Sequence, residues 1–320
     1  MKLNRSDHRV ETDQRLLILS DTKPGHVNQS IAYARHLGMA YDLVEVTFKY
    51  RFFKGLSYLA DRLGIYTDWL FDAQLPTFEY AAVVSAGSGT YYANRAVSAQ
   101  LGCKKIAIML PKGYRYDFDL IVAQQHDAPP DLDNLVALPI NLTYVEAKGL
   151  VQADAAHRYI SIVIGGDSKR AVLDENMLRK QVEQIRAQFP AHDFWLTTSR
   201  RTSEVVENML RTFEWSRAVY YSQEPINPIP DFLKHSDYVF ITADSSSMIS
   251  EAVSTGAACI EVLPLSGELH TQDKFSRLLM ELTEEQCVHV FDGLCGAARH
   301  KIPVSEKLLA ASKQVFGTIE

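Results

Sequence analysis

Hydrophobic and polar residues along this chain follow a pattern that is typical of parallel α/β proteins. Continuous apolar runs, such as Leu16 to Ser20 and Tyr159 to Ile164, predict strands that are buried on both faces. Apolar residues at helical spacing follow several of these runs, as in the segment from Val172 to Phe189. Strands that alternate with helices in this way indicate parallel βαβ units.

The pattern divides the chain into two α/β halves, which we assign to residues 1–150 and 151–320, with a weakly patterned stretch near their boundary. Each half begins with its own strand, loop and helix. The predicted strands are 16–20, 42–48, 81–85, 104–110, 119–123, 135–138, 159–164, 194–198, 217–221, 238–242 and 257–262. The last predicted helix, about 305–316, is expected to pack back on the first half.

The stretch Tyr238 to Val262 carries the clearest candidate chemistry. A buried strand leads into the polar turn Asp244-Ser245-Ser246-Ser247, and a short helix follows that ends at Gly256. A helix start offers free backbone N–H groups to an anion, and Glu251 lies one turn further on, where a carboxylate suits a ribose diol. Ordinary helix capping by Ser and Asp accounts for the same residues, so both interpretations stand.

Loops at other strand ends of the second half should join this turn, because parallel strands present their carboxyl ends at one edge of a sheet. Glycine backbone allows close approach of a phosphate, and Arg and Lys supply positive charge. The residues expected to line a site for a phosphorylated ligand are Gly165, Gly166, Lys169, Ser199, Arg200, Arg201, Asn227, Asp244, Ser245, Ser246, Ser247 and Glu251. Neither a P-loop nor a GxGxxG motif is present.

In the first half, the loop Asp21 to Gln29 lies where the first strand becomes the first helix. His26 is a natural general base near neutral pH, and Asp21 is close enough in sequence to orient it or replace it. Hydrogen-bonding or loop-shaping neighbours are Lys23, Gly25, Asn28 and Gln29. The alternative is a histidine that only caps or packs the helix.

A second histidine, His126, follows the strand that ends near Ala123, and Asp127 stands beside it. We include His126 among the candidate catalytic residues. We include Asp127 among the residues that would contact an acceptor substrate, the molecule to which a group is transferred. Asp117 and Asp119 could suggest a metal site with two carboxylates. Such a spacing is common by chance, however, and we expect no metal.

The segment Tyr50 to Leu63 carries apolar residues near helical spacing between basic residues. The sequence favours the core face of a helix. An interfacial helix that touches an anionic membrane through Phe52, Phe53 and Lys54 is the alternative.

Composition narrows the class of protein. The 320 residues carry a net charge of −6, which argues against broad nucleic-acid binding. Four cysteines without CxxC or zinc spacing indicate thiols in a reducing compartment. We find no signal peptide and no apolar run of about 18 residues, so we expect a cytoplasmic protein, at most touching the inner face of a membrane.

Five motifs together resemble one protein family. They are DTKPGHVNQS, QHD, IGGDSK, TTSRRT and TADSSSMISEAVSTG, and they occur in order over about residues 16–262. This set is similar to the bacterial relatives of the plant elongated-mitochondria fission factor. The resemblance implies a GT-B-like fold, in which two Rossmann-like domains face across a cleft, as in MurG-type and Kdo-transferase-type glycosyltransferases.

On this fold, our leading hypothesis is a metal-independent glycosyltransferase without a cofactor. The second domain would bind a nucleotide-sugar through the strand-end loops, and the first would bind a cell-envelope, lipid-linked or lipopolysaccharide acceptor. The residues expected to contact that acceptor are Lys23, Gly25, Asn28, Gln29 and Asp127. His26 or Asp21 would remove the acceptor proton. A non-catalytic scaffold on the same fold and a nucleotide-sugar epimerase are the two alternatives.

Overall fold

A computed structural model describes residues 14–168, 172–266 and 273–317. The chain forms two compact units. The first comprises Met1–Ala123, Pro129–Ala137 and Ser305–Glu320, and the second comprises Gln124–Ala128 and Leu138–Val304. The C-terminal segment therefore belongs to the first unit.

The first unit is built on a six-stranded sheet in the order β2-β1-β5-β6-β7-β8. Pairings across β2, β1, β5, β6 and β7 are parallel. The strands are β1 (Arg15–Ser20), β2 (Ala40–Glu45), β3 (Thr47–Phe48), β4 (Phe71–Asp72), β5 (Ala82–Ala86), β6 (Lys104–Ile108), β7 (Leu120–Gln124) and β8 (Leu135–Leu138), of which β3 and β4 form a separate antiparallel pair. The first three helices are α1 (Pro24–His36), α2 (Phe53–Arg62) and α3 (Tyr91–Leu101).

The second unit has a six-stranded, wholly parallel sheet in the order β11-β10-β9-β12-β13-β14. Its strands are β9 (Tyr159–Val163), β10 (Asp193–Thr197), β11 (Arg217–Val219), β12 (Ser236–Thr242), β13 (Cys259–Leu263) and β14 (His289–Val290). Its helices are α4 (Glu175–Gln188), α5 (Glu204–Leu210), α6 (Ile229–His235), α7 (Ser246–Ser254) and α8 (Lys274–Glu284), and α9 (Ser305–Phe316) returns to the first unit.

The central strands carry apolar side chains on both faces because helices cover both faces of each sheet. Leu16, Leu17 and Ile18 of β1 are fully buried, and so are Ile160 and Ile162 of β9. This burial holds the carboxyl ends of β1 and β9 in place, and the candidate sites follow those ends.

The two parallel sheets confirm the predicted GT-B-like class of two Rossmann-like units. Differences lie at element ends. The predicted strand 42–48 is broken into β2 and β3. Helix α5 spans only Glu204–Leu210, and Ser203 caps it, because the Ser203 side chain accepts the Val206 N–H.

The interpretation of the Tyr50 to Leu63 stripe as a core face is wrong. Phe53 is buried, but Phe52, Leu56, Leu59 and Leu63 are exposed. The buried side of α2 instead carries Ser57 and Asp61 in addition to Phe53.

Across residues 14–168, 172–266 and 273–317, the helices are too short or too polar to cross a lipid bilayer.

Candidate functional sites

The first candidate site is a histidine–aspartate pair in the turn between β1 and α1. His26 Nδ1 lies 3.0 Å from both carboxylate oxygens of Asp21. Lys23 Nζ lies 2.6 Å from Asp21 Oδ2, and the Lys23 N–H donates to Oδ1 at 3.3 Å. The turn is tight, since Thr22 adopts a φ of 64° and its N–H donates to Ser20 Oγ at 2.9 Å.

The turn between β5 and α3 leaves room for this pair. Gly87 has a φ of 86°, and a Cβ atom there would lie 2.3 Å from the His26 ring. At Gly89 a Cβ atom would lie 3.2 Å from that of Asp21. Sequence reasoning missed both glycines, although the run Gly87-Ser88-Gly89 directly after a buried strand was a usable signal.

The charge state of Asp21 follows from its partners. Its side chain is only 8% exposed, and burial acts to raise its pKa. Hydrogen bonds and charge interactions with Lys23 and His26 outweigh that effect, so the pKa of Asp21 lies below its ordinary value. The carboxylate therefore accepts the Nδ1 proton of His26, which leaves Nε2 of the neutral ring as a proton acceptor.

The other residues predicted for this site differ in their exposure to solvent. Lys23, Gly25 and Asn28 are exposed, whereas Gln29 is buried and its Nε2 donates to the Gly25 carbonyl at 3.3 Å. Gln29 thus contributes to the packing of α1. A Cβ atom at Gly25 would meet nothing within 4 Å, so this position has no steric need for glycine.

The second candidate site surrounds the start of α7 in the second unit. Ser245 is the N-cap and accepts the Met248 N–H at 3.4 Å. Ser246 Oγ accepts Asn141 Nδ2 at 3.0 Å, and Ser247 is exposed. The amides of Ser246 and Ser247 belong to the first turn, which has no intrahelical acceptors, so this end suits an anion.

Asp244 organises the loops behind this helix start. Its buried carboxylate accepts the Thr242 hydroxyl at 2.6 Å and the Gly166 N–H at 3.2 Å, and it pairs with the Arg201 guanidinium. The Gly165 N–H donates to the Thr242 hydroxyl at 2.7 Å. The loops after β9, β10 and β12 are therefore joined through one carboxylate.

This network changes the role that we assign to both glycines. A Cβ atom at Gly165 would lie 2.1 Å from the Asp244 carboxylate, and one at Gly166 would lie 2.0 Å from the Arg201 carbonyl oxygen. Glycine is needed there for contact between loops, and both amides already have acceptors within the protein. The Asp244 carboxylate likewise forms its contacts with neighbouring loops of the protein.

Arg200 is a cation that a ligand could reach. It is exposed, and no hydrogen bond or ion pair to its guanidinium is found among the residues that the structure describes. The neighbouring Ser199 Oγ accepts the Arg201 N–H at 3.2 Å. Lys169 lies outside the described residues.

Glu251 of α7 and Asn227 of the loop before α6 lie close together. The Asn227 side chain acts on the Glu251 carboxyl group, and Asn227 Oδ1 accepts the Ile229 N–H at 3.2 Å. Burial raises the pKa of Glu251 to about 7, against the opposing effect of the Asn227 hydrogen bond. The carboxyl group therefore changes charge near neutral pH.

His126 and Asp127 lie in a short 3-10 turn that belongs to the second unit, not to the first half in which we had placed them. Asp127 is 6% exposed and pairs with Lys274 at the start of α8. Asp127 thus secures its turn to α8, and this ion pair occupies the carboxylate that we had assigned to acceptor binding.

Metal-ligating atoms converge at a different place, at the end of α8. Side-chain ligand atoms of Glu285, Cys287 and His300 all lie within 4.8 Å of one another. Cysteine, histidine and glutamate are ligand types that zinc accepts, although burial raises the pKa of the Cys287 thiol to about 11. The Asp117 and Asp119 carboxylates instead pair with basic side chains, Asp117 with Arg95 and Arg115 and Asp119 with Lys104.

Comparison with known proteins gives one family over most of the chain. The family model described as "Mitochondrial fission ELM1" matches residues 24–315. A curated relative, "Uncharacterized protein RP120" of Rickettsia prowazekii (strain Madrid E), is 26% identical over 146 residues. That match covers 42% of this chain and 39% of the relative, so less than half of the relative's length is spanned.

Solved structures share the fold at low sequence identity. Arabidopsis thaliana UGT89C1 complexed with UDP-L-rhamnose has a TM-score of 0.51 at 11% identity, covering 94% of this chain and 93% of that one. The "glycotransferase of kitacinnamycin" has a TM-score of 0.50 at 12% identity, covering 95% of each chain. At these identities the likeness establishes the fold alone.

Proposed function

The chain belongs to the mitochondrial fission ELM1 family, and from this premise and the geometry of its two sites we propose that it is a metal-independent glycosyltransferase. Its donor is a nucleotide-sugar, and its acceptor is a hydroxyl group of a cell-envelope or lipid-linked molecule. The first unit supplies the base, and the second binds the nucleotide.

The observation that carries this proposal is the contact between His26 and Asp21. A fold alone suits a scaffold as well as an enzyme, since function resides in sites. A histidine whose Nδ1 is held at 3.0 Å by a buried carboxylate presents Nε2 as a base, which is the arrangement used to activate hydroxyl groups.

The reaction follows from these groups. His26 Nε2 takes the proton of the acceptor hydroxyl as its oxygen forms a bond to the anomeric carbon of the donor sugar. The bond from that carbon to the diphosphate oxygen breaks, and the electron pair leaves with the nucleoside diphosphate. Asp21 stabilises the imidazolium that forms.

The second unit offers partners for the departing nucleotide. The exposed Arg200 guanidinium and the N-terminal amides of α7 stabilise negative charge on the diphosphate. Glu251, in its ionised form, accepts hydrogen bonds from the ribose hydroxyls. Because UGT89C1 was solved with UDP-L-rhamnose, UDP-sugars come first among donors to test.

The test separates donor binding from turnover. We expect one nucleotide-sugar from a panel of UDP-, CMP-, GDP- and ADP-sugars to raise the melting temperature, and Arg200→Ala to remove that shift. Arg299→Ala is the matched control, because Arg299 is an exposed arginine of the same unit outside the site. His26→Ala should lower turnover at least about 100-fold while donor binding persists.

A surface pair provides the control for the base. His157 Nδ1 lies 2.8 Å from Asp193 and is 53% exposed, so His157→Ala removes a similar histidine–aspartate pair without touching the site. Near-normal turnover in His26→Ala would remove His26 from the mechanism. Absence of any nucleotide shift at millimolar concentration would favour the scaffold, and conversion of donor without acceptor would indicate an epimerase.

A further inference from the structure

Helix α2 differs from most surface helices, because polar side chains lie on its buried side and apolar side chains on its exposed side. Its buried side carries Ser57 and Asp61, both fully buried, and each has a partner in the first unit. Ser57 Oγ lies 2.9 Å from the Tyr114 hydroxyl, and Asp61 Oδ1 accepts Arg95 at 2.7 Å. These contacts fix the helix in one rotation about its axis.

The opposite side of α2 is apolar and exposed. Four residues spaced by four, three and four positions share this side, and their exposed fractions are 69% for Phe52, 40% for Leu56, 54% for Leu59 and 66% for Leu63. Tyr50 stacks on Phe52 with ring centroids 5.7 Å apart, and Ile65 and Trp69 follow soon after the helix; the exposed fractions of these three residues are 61%, 54% and 61%. We call these seven residues the outer face of α2.

Basic residues border the outer face. Arg51 and Arg62 are exposed, and Lys54 is half-buried with Nζ 2.9 Å from Ser88 Oγ. Acidic residues nearby are Asp68 and Asp72, both exposed, and Asp72 lies 3.9 Å from Lys49. The buried Asp61 is neutralised by Arg95.

We propose that the outer face of α2 binds the surface of an anionic phospholipid membrane. The helix would lie parallel to the bilayer, with its apolar residues among the acyl chains and its basic residues among the lipid phosphates. Tyr50 and Trp69, whose rings have a polar atom at one end, suit the level of the headgroups. Phe53, which is buried, takes no part.

This surface is connected to the first candidate site within the same unit. The Lys54 hydrogen bond joins the start of α2 to Ser88, and the flanking Gly87 and Gly89 are the residues that contact His26 and Asp21. A membrane-bound protein would thereby hold its base near lipid headgroups. The inference does not rest on the transferase proposal, since vesicle binding is measured without donor or acceptor.

The test is co-sedimentation with vesicles of phosphatidylcholine alone or with about one third phosphatidylglycerol. We expect binding to the anionic vesicles, and a loss of about tenfold or more in Phe52→Ser/Leu59→Gln/Leu63→Gln, which changes exposed side chains only. Leu294→Gln, at a residue that is 72% exposed in the second unit, is the matched control and should bind normally.

Two further measurements sharpen the test. Arg51→Gln/Arg62→Gln should weaken binding to anionic vesicles by about fivefold per charge and leave binding to neutral vesicles unchanged. The fluorescence of Trp69 should shift to the blue with vesicles, and Trp69→Phe should abolish that shift.

Two results would overturn the proposal. One is equal sedimentation of the wild-type protein with and without anionic vesicles. The other is self-association in the absence of lipid that the three apolar substitutions abolish in analytical ultracentrifugation, because the outer face would then be an interface between copies of this chain.

Discussion

At the scale of single residues, burial decides the chemistry of the two candidate sites. Asp21 is buried beside two basic partners, which keep its carboxylate ionised and its acceptor atoms aimed at His26. Glu251 is buried beside a neutral amide, which cannot supply a compensating charge. The same functional group therefore has a lowered pKa in one site and a raised pKa in the other.

The raised pKa of Glu251 predicts a pH-dependent stability. The neutral form stabilises the folded protein fully below pH 4.5, and that contribution is lost as the pH rises to about 7. Glu251→Gln stays neutral, so its free energy of unfolding should exceed that of the wild type increasingly over this range, on the order of 3 kcal/mol at most.

Denaturant titrations at pH 5, 6, 7 and 8 would measure this difference. Glu183→Gln, an exposed position in α4, is the control and should leave the pH profile unchanged. A constant offset between wild type and Glu251→Gln at every pH would contradict the prediction.

At the scale of helices and strands, local signals placed most elements but did not show which side of a helix is buried. Gly256 was predicted to end its helix, and α7 ends at Ser254 just before it. The apolar spacing in α2 pointed to the wrong face, because the partners that draw Ser57 and Asp61 inward, Tyr114 and Arg95, are distant in sequence.

Two helix-ending glycines allow a matched prediction. Gly256 has a φ of 79°, and a Cβ atom there would lie 2.4 Å from the Leu233 carbonyl oxygen. Gly102, after α3, has a φ of 65° and open space around it. Gly102→Ala should cost about 1 kcal/mol of stability through backbone strain alone, whereas Gly256→Ala should cost about 3 kcal/mol because of the added clash.

Chemical denaturation of both variants would measure these costs. Equal losses of stability would show that the contact between Gly256 and α6 relaxes freely.

At the scale of the whole molecule, the two units divide the candidate chemistry between them. The His26–Asp21 pair follows β1 in the first unit, and the α7 site follows β12 in the second. Each site lies beyond the carboxyl end of a buried strand, where such sheets bind their ligands.

This division predicts where a nucleotide protects the chain. With UDP or the donor found by thermal shift, slowed amide hydrogen exchange should appear in residues 199–202 and 244–251. Arg200→Ala should reduce that protection, whereas Arg299→Ala should not. Protection of residues 21–29 without any in the second unit would contradict the assignment of the nucleotide site.

Much of this architecture was readable from the chain. Continuous apolar runs, alternating helices and turn-forming residues depend on local preference and on burial of both strand faces, so the two parallel sheets and the positions of His26 and Glu251 followed from the pattern. The close approach of Gly87 to His26, the engagement of the Gly165 and Gly166 amides by Thr242 and Asp244, and the outward apolar side of α2 did not follow. Each depends on contacts between segments far apart in sequence, and a linear pattern does not record which side chain meets which.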